Sequence, residues 1–308
     1  MRTATVPLKN GLKAEMEVFS SMADALTTLK GRKPIHADIN KDFIHGAPVY
    51  DPQWSGFRSG AELQERIRSG ISDPAFISKV QRCKGELSRE IAKLREVKRD
   101  VTGGNVVVPL YVQGIPECMT RVVTRKVKSK VIRMVLDPAV YCRISGEDLK
   151  STATAVAIAI ASLERSGFRV EVNIMTTVVT GSRTGPRVLS CMMPMKRAEE
   201  ALNIPKLLFM VANPSYFRGL VFNWLTTNPR FPRNPGLGYS LSTELGSKGA
   251  REAVLAMAKA TIGDGCVPLI VQPLCEDFRD TRDRYATEDE AIAKLATTIL
   301  QKVESEGL

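Results

Sequence analysis

The chain has 308 residues, of which 44% are hydrophobic, and a formal net charge of +11. That length sustains a full-sized core, in one large domain or two modest ones. No apolar run approaches the roughly 18–20 residues of a membrane span, and the opening stretch MRTATVPLKNGLKAEMEVFSS lacks the apolar centre of a signal peptide, so a soluble intracellular protein with no membrane partner is expected.

Residues 1–55 read as irregular structure with a short helix over Met22–Leu29, punctuated by Pro34, Pro48 and Pro52. Ser59 is placed to cap a helix over Gly60–Arg68, which Gly70 ends. Asp73 is a good N-cap and Pro74 a good first helical residue. From there Phe76, Val80, Cys83, Leu87, Ile91 and Leu94 recur at spacings of three and four, the stripe of an amphipathic helix. Val106–Val112 reads as a strand and Gly114–Pro116 as a turn. These elements make an N-terminal, mainly helical region, residues 1–125, with a short β element.

Residues 126–308 read as an α/β domain. Val131–Leu136 is a strand of branched residues ending at Asp137–Pro138. Ser145 and Asp148 form an S-x-x-D cap for a helix whose stripe is Leu149, Ala153, Val156, Ile160 and Leu163, and Gly167 ends it. Val170–Val179 is the next strand. Strand, helix and strand in so short a span predict a right-handed βαβ unit with parallel strands. The turn TGSRTGPR is too short for a crossover, so RVLSCMMPM should return antiparallel. KRAEEALN then reads as a short helix, KLLFMVA as a strand, Pro214–Thr226 and Gly249–Ile262 as helices, CVPLIVQP as a buried strand, and Thr287 with Glu290 as the capping box of the last helix. The stretch at 228–247 is a long loop rich in Pro, Gly, Asn and Ser. The pattern implies a three-layer α/β sandwich, its sheet mostly parallel with one antiparallel edge hairpin, close to the Rossmann-like class.

Chemistry-bearing patterns are sparse. The six cysteines form no C-x-x-C pair, and the two histidines, His36 and His45, lie in the N-terminal region without a nearby nucleophile. No phosphate-loop, nucleophile-elbow or zinc-protease motif occurs, so neither an enzyme nor a cofactor is expected. In CEDFRDTRDRYATEDE, Asp277, Asp280 and Asp283 alternate with Arg279, Arg282 and Arg284 and should neutralise one another. A basic stretch holds Arg121, Arg125, Lys126, Lys128, Lys130 and Arg133. Such lysines commonly guard a strand edge. With Arg230 and Arg233 they are also the candidates for phosphate contact, although no aromatic is interleaved for base stacking.

The order of elements from 129 to 305 resembles the von Willebrand factor A-type domain, most specifically over 129–195. The stretches PQWSGFRSGAEL, VPLYVQGIPECM and ISGEDLKSTATAVAIAIASLERSGFRVEV also resemble an uncharacterised family of bacteriophage and prophage proteins. In A-type domains a D-x-S-x-S strand end holds magnesium through oxygen ligands. Here Asp137 is followed by Ala139 and Tyr141 where the serines should stand, and Ala212–Asn213 replaces a frequent D-G. Asp137 is thus the one weak candidate for a metal ligand, with Ser145, Thr152 or Asp264 as other oxygen sources; its plainer use is to cap the turn. The resemblance implies a phage-encoded interaction module in the cytoplasm of an infected bacterial host, with a protein partner such as a ring ATPase of the AAA+ class or a host factor. Its contact loops would carry Asp137, Tyr141, Arg143, Ser145, Asn213 and Tyr216. Nucleic-acid binding and a structural role in the virion are the alternatives.

Overall fold

A computed structural model describes residues 1–33, 35, 43–46, 48–49, 51–91, 97–102, 105–122, 131–140, 144–180, 186–230, 239–282 and 287–307. The chain begins with a hairpin rather than irregular structure: β1 (Arg2–Pro7) pairs antiparallel with β2 (Lys13–Val18) across a turn where Gly11 takes φ 73°. Ala14, Met16 and Val18 of β2 are buried on one face, with Glu15 and Glu17 between them, which is strand alternation. Helices α1 (Met22–Gly31), α2 (Pro52–Ser55), α3 (Gly60–Ser69) and α4 (Pro74–Ile91) follow. Their expected caps form: the Ser59 hydroxyl accepts the Glu62 N–H, and the Asp73 carboxylate accepts the Phe76 N–H at 3.0 Å. Phe76 and Val80 of the expected α4 stripe are buried; the side chains of Cys83, Leu87 and Ile91, and all of Leu94, lie outside the described residues.

A small sheet comes next, in the order β3 (Val97–Asp100), β5 (Met119–Val122), β4 (Asn105–Val106). The strand expected over Val106–Val112 is confined to β4. Val108–Val112 forms a helical turn, α5, with Pro109 in its first turn, where a missing N–H costs nothing.

The βαβ unit forms as its pattern predicts. Strand β6 (Val131–Asp137) runs parallel to β7 (Arg169–Thr180), in register from Val131↔Arg169 to Leu136↔Ile174, and α6 (Gly146–Arg165) connects them. Strand β8 (Arg187–Lys196) returns antiparallel along β7. It is not the edge of the sheet, because β2 pairs with its other side in parallel. KRAEEALN is a turn, and the next helix, α7 (Ile204–Leu207), starts beyond it with Asn203 as N-cap. The expected strand KLLFMVA is helical. It forms a π-helical segment, Leu208–Ala212, followed by a second, Ser215–Val221, and by α8 (Phe222–Thr227). Pro205 and Pro214 flank that apolar run, and a short buried run of this kind serves a helix as well as a strand. Next are β9 (Tyr239–Ser240), α9 (Leu241–Ile262), β10 (Cys266–Ile270), α10 (Val271–Arg282) and α11 (Glu288–Gly307).

The main sheet therefore reads β1-β2-β8-β7-β6-β10, with β9 on the far end of β7. Its pairings β2–β8, β7–β6 and β6–β10 are parallel and the rest antiparallel. The protein is α/β with a mixed sheet. Alternate residues feed two cores. Ile132, Met134, Leu136, Val172 and Ile174 pack with Val156, Ile160, Leu274 and Ile299. Val135, Met175, Val179 and Met192 pack with Val254, Met257 and Ala258 of α9. The N-terminal hairpin contributes to this second core, so the sheet is built from both sides of residue 125.

Candidate functional site

Asp137 ends β6 and is 1% exposed. Its Oδ1 accepts the Ala139 N–H at 3.0 Å, and Thr177 donates to it from both backbone and side chain. Burial dominates over these hydrogen bonds and pushes the carboxyl up to about 7. The turn-capping use of Asp137 is thus realised. Ala139 beside it is buried and offers no oxygen side chain.

The other residues named for a cation have different employment. The Ser145 hydroxyl accepts the Asp148 N–H and donates to Asp148 Oδ2 at 2.7 Å, closing the cap of α6. Thr152 Oγ1 lies 3.2 Å from Cys275 Sγ in the core. Asp264 sits in the turn before β10, at the opposite end of the strands from Asp137, and pairs with Lys259 at 3.5 Å. Among the described residues no three His, Cys, Asp or Glu are grouped to hold a metal ion.

The expected contact loops are only partly surface. Tyr216 is 1% exposed, and its hydroxyl shares a 2.7 Å hydrogen bond with Thr176. Burial raises its pKa well above the usual phenol value. Asn213 is half-buried and its Oδ1 accepts the Ser215 N–H at 2.9 Å, just ahead of the second π-helical segment. Ser145 is exposed; Tyr141 and Arg143 lie outside the described residues. Of the basic candidates, Arg230 pairs with Glu15 of β2 at 3.2 Å. Arg121 lies on β5, its side chain outside the described residues, as are Arg125, Lys126, Lys128, Lys130 and Arg233 altogether. His45 Nε2 lies 3.3 Å from the Lys30 carbonyl, while His36 is outside the described residues.

Sequence patterns did not single out two further features. The first is a set of buried charges. Lys196 is 1% exposed and ties the Val170 carbonyl and Glu164 together at 2.7 Å each. Glu17 receives Arg32 at 2.9 Å and the Trp224 indole N–H at 3.0 Å. These pairs stitch α6 to β7 and the hairpin to α1 and α8, although Arg32 Nη1 is buried without a hydrogen-bond partner.

The second is an apolar surface. Of the nine large hydrophobic residues exposed among those described, six fall between 101 and 115: Val101, Val106, Val108, Tyr111, Val112 and Ile115. They sit on β4, on α5 and in the turns beside them. Val108, Tyr111 and Val112 are 63%, 67% and 78% exposed, at the i, i+3, i+4 spacing of one helical face. A cluster of that kind on a small appended sheet is unlike the scattered apolar residues of an ordinary surface. The signal lay in the run VVVPLYV, whose Pro109 argues against a buried strand.

A family model described as a domain of unknown function, DUF7192, matches residues 5–263. No curated protein and no solved structure matches the chain.

Proposed function

The chain belongs to the DUF7192 family, and from that premise we propose that it is a non-enzymatic protein-interaction module whose contact surface is the apolar tip at residues 101–115. One observation carries this: six exposed aliphatic or aromatic side chains fall between residues 101 and 115, on β4, on α5 and in the turns beside them, outside the main sheet. Exposed apolar clusters rimmed by polar residues mark interaction surfaces. The end of β6 supports the reading from the other side, because the Asp137 oxygens are already occupied by Ala139 and Thr177.

In this proposal the main sheet with its helices is a three-layer sandwich of the von Willebrand factor A kind whose cation cradle has been given up. The β6–α6–β7–β8 order supports that reading. A phage or prophage origin, and work in the cytoplasm of an infected host beside an AAA+ ATPase or a host factor, rest on the sequence resemblance alone. The test is a photo-cross-linking residue in place of Val112, with adducts recovered from infected cells and identified by mass spectrometry. A discrete protein adduct lost on Tyr111→Asp is the expected result; adducts to nucleic acid, or none, would overturn it. Nucleic-acid binding is the second reading, favoured by the net charge of +11. It requires affinity that falls steeply with salt and is lost when Arg125, Lys126 and Lys128 become Glu.

A further inference from the structure

We infer that the cleft between α1, α3 and α7 binds a small phosphate monoester, with Arg68, Arg197 and Lys206 around its phosphate group. The inference does not depend on the apolar tip.

The cleft has two lobes. The smaller, of about 270 Å³, is lined by the start of α1 together with Arg68, Arg197, Lys206 and Glu200. The larger, of about 630 Å³, shares Ser20, Pro194 and Arg197 with it and falls within the roughly 300–1,000 Å³ range of small-molecule sites. Asn173, Glu171 and Glu199 line this larger lobe and suit a hydroxylated organic part.

The fold explains the position. Strands β2 and β8 are parallel. The chain leaves β2 at Val18 and enters α1 at Met22, and Arg197 is the first residue after β8. The cleft thus lies at the carboxyl ends of a parallel pair, against the N-terminus of the helix that follows one of them, a favourable place for a phosphate. Because β8 runs against β7, this is the opposite end of the sheet from Asp137.

The three cations come from separate elements. Arg68 is in the last turn of α3, Arg197 follows β8 and Lys206 is in α7. Gly70, with φ 82°, lets the chain leaving α3 lie directly on α7, where the Ile71 N–H donates to the Pro205 carbonyl at 3.0 Å. Among the described residues the Arg197 guanidinium and the Lys206 ammonium have no hydrogen-bond or ion-pair partner. Arg68 reaches only the exposed Glu65, at 4.0 Å. The one carboxylate in this lobe, Glu200, accepts the backbone N–H of Arg197 at 3.0 Å. Asp24, in the first turn of α1, is turned to the Ser20 N–H and hydroxyl, at 2.8 and 3.0 Å. Like charges gathered around one cavity repel until an anion joins them. Guanidinium and ammonium donors fit phosphate oxygens. The Ser21 hydroxyl takes the Asp24 N–H, so the N–H groups of Met22 and Ala23, the first two of α1, remain as further donors.

Calorimetric titration of the full chain at fixed ionic strength tests this, with glucose 6-phosphate and adenosine monophosphate as probes and glucose and adenosine as controls. At least one phosphate should bind, one per chain, with Kd below about 1 mM, and its unphosphorylated counterpart should not. Arg197→Glu and Lys206→Glu should each weaken that binding about tenfold or more. Lys294→Glu, the same charge change at an exposed position on α11, should leave it unaltered. Neither Arg197 nor Lys206 has a side-chain partner to lose, and unchanged melting temperatures without ligand would show that the variants fold. No binding of either phosphate up to about 10 mM overturns the inference. So does binding that survives both cleft substitutions, or that Lys294→Glu weakens equally. A single-stranded oligonucleotide that binds through Arg197 and Lys206 while neither monoester binds would also overturn it, showing a polyanion surface instead.

Discussion

Replacing Asp137 by Asn should change how stability depends on pH, in a direction fixed by the site. The folded carboxyl titrates at about 7, against 3.8 for the free group. Below pH 3.8 it is protonated in both states and costs nothing. Between 3.8 and 7 the unfolded chain releases the proton and the folded chain keeps it, so stability falls as pH rises. Above 7 the penalty is complete, at about 4 kcal/mol. Asn is neutral throughout, and its carbonyl can still accept the Ala139 N–H, 3.0 Å from Oδ1 in the wild type. It accepts fewer bonds than a carboxylate, so the second donor, Thr177, is left partly unsatisfied at about 1–3 kcal/mol. That cost does not vary with pH. Urea denaturation of both proteins at pH 4.5 and pH 8 isolates the effect. Asp24, Glu62, Asp73 and Glu288 are held below their usual values and lose stability as pH falls, but they are common to both proteins and cancel. The difference should move by about 3 kcal/mol in favour of Asn from the lower pH to the higher. Parallel pH curves would refute the buried, proton-holding carboxyl. Magnesium that stabilises the wild type at pH 8, and not the variant, would show instead that the acid still binds a cation.

Two further substitutions test how the N-terminal helices and α6 are held. A Cβ on Gly60 would stand 2.1 Å from the Phe43 carbonyl oxygen, a clash with backbone that side-chain rotation cannot relieve. Gly60→Ala should therefore cost about 3 kcal/mol in urea unfolding, and a loss under about 1 kcal/mol would contradict the close approach. Lys196→Met removes the cation that joins Glu164 and the Val170 carbonyl. Because Glu164 remains 32% exposed and can rehydrate, the expected loss is roughly 3 kcal/mol, at the low end for a broken buried pair; no change in the denaturation midpoint would show the ammonium to be dispensable.

The elements most legible in the sequence are those whose local chemistry and tertiary packing agree. Ser145 and Asp148 announce the start of α6, and the same two side chains make the cap. Thr287 and Glu290 do so for α11, each accepting the other's backbone N–H. Strand β2 was missed although Leu12, Ala14, Met16 and Val18 alternate. Glu15 and Glu17 interrupt the apolar run on the other face, and Glu17 is buried against Arg32 and Trp224, which come from distant parts of the chain and leave no local signal. The run KLLFMVA shows the opposite failure. Its residues suit a buried strand, and only the surrounding helices make it helical. Two of the expected contact residues are buried for a third reason. Side-chain depth at a strand end is set by what packs over it, so Asp137 and Tyr216 looked available and are not.

The main sheet also offers little for a partner to pair with. Its edges are β1 and β10, since β2 covers the side of β8. Pro268 deletes a donor from β10, and Pro7 does so at the end of β1. Both edges are thereby blunted against strand addition. The end of β6, where open α/β sheets commonly bind ligands, is closed over a hydrogen-bonded Asp137. Recognition by strand pairing or by the sheet's C-terminal crevice is therefore disfavoured by the same residues that complete the fold. Tyr111 and Val112 bury little and serve no core, and the proposed contact surface would give these exposed side chains a use that neither the sheet edges nor the end of β6 provides.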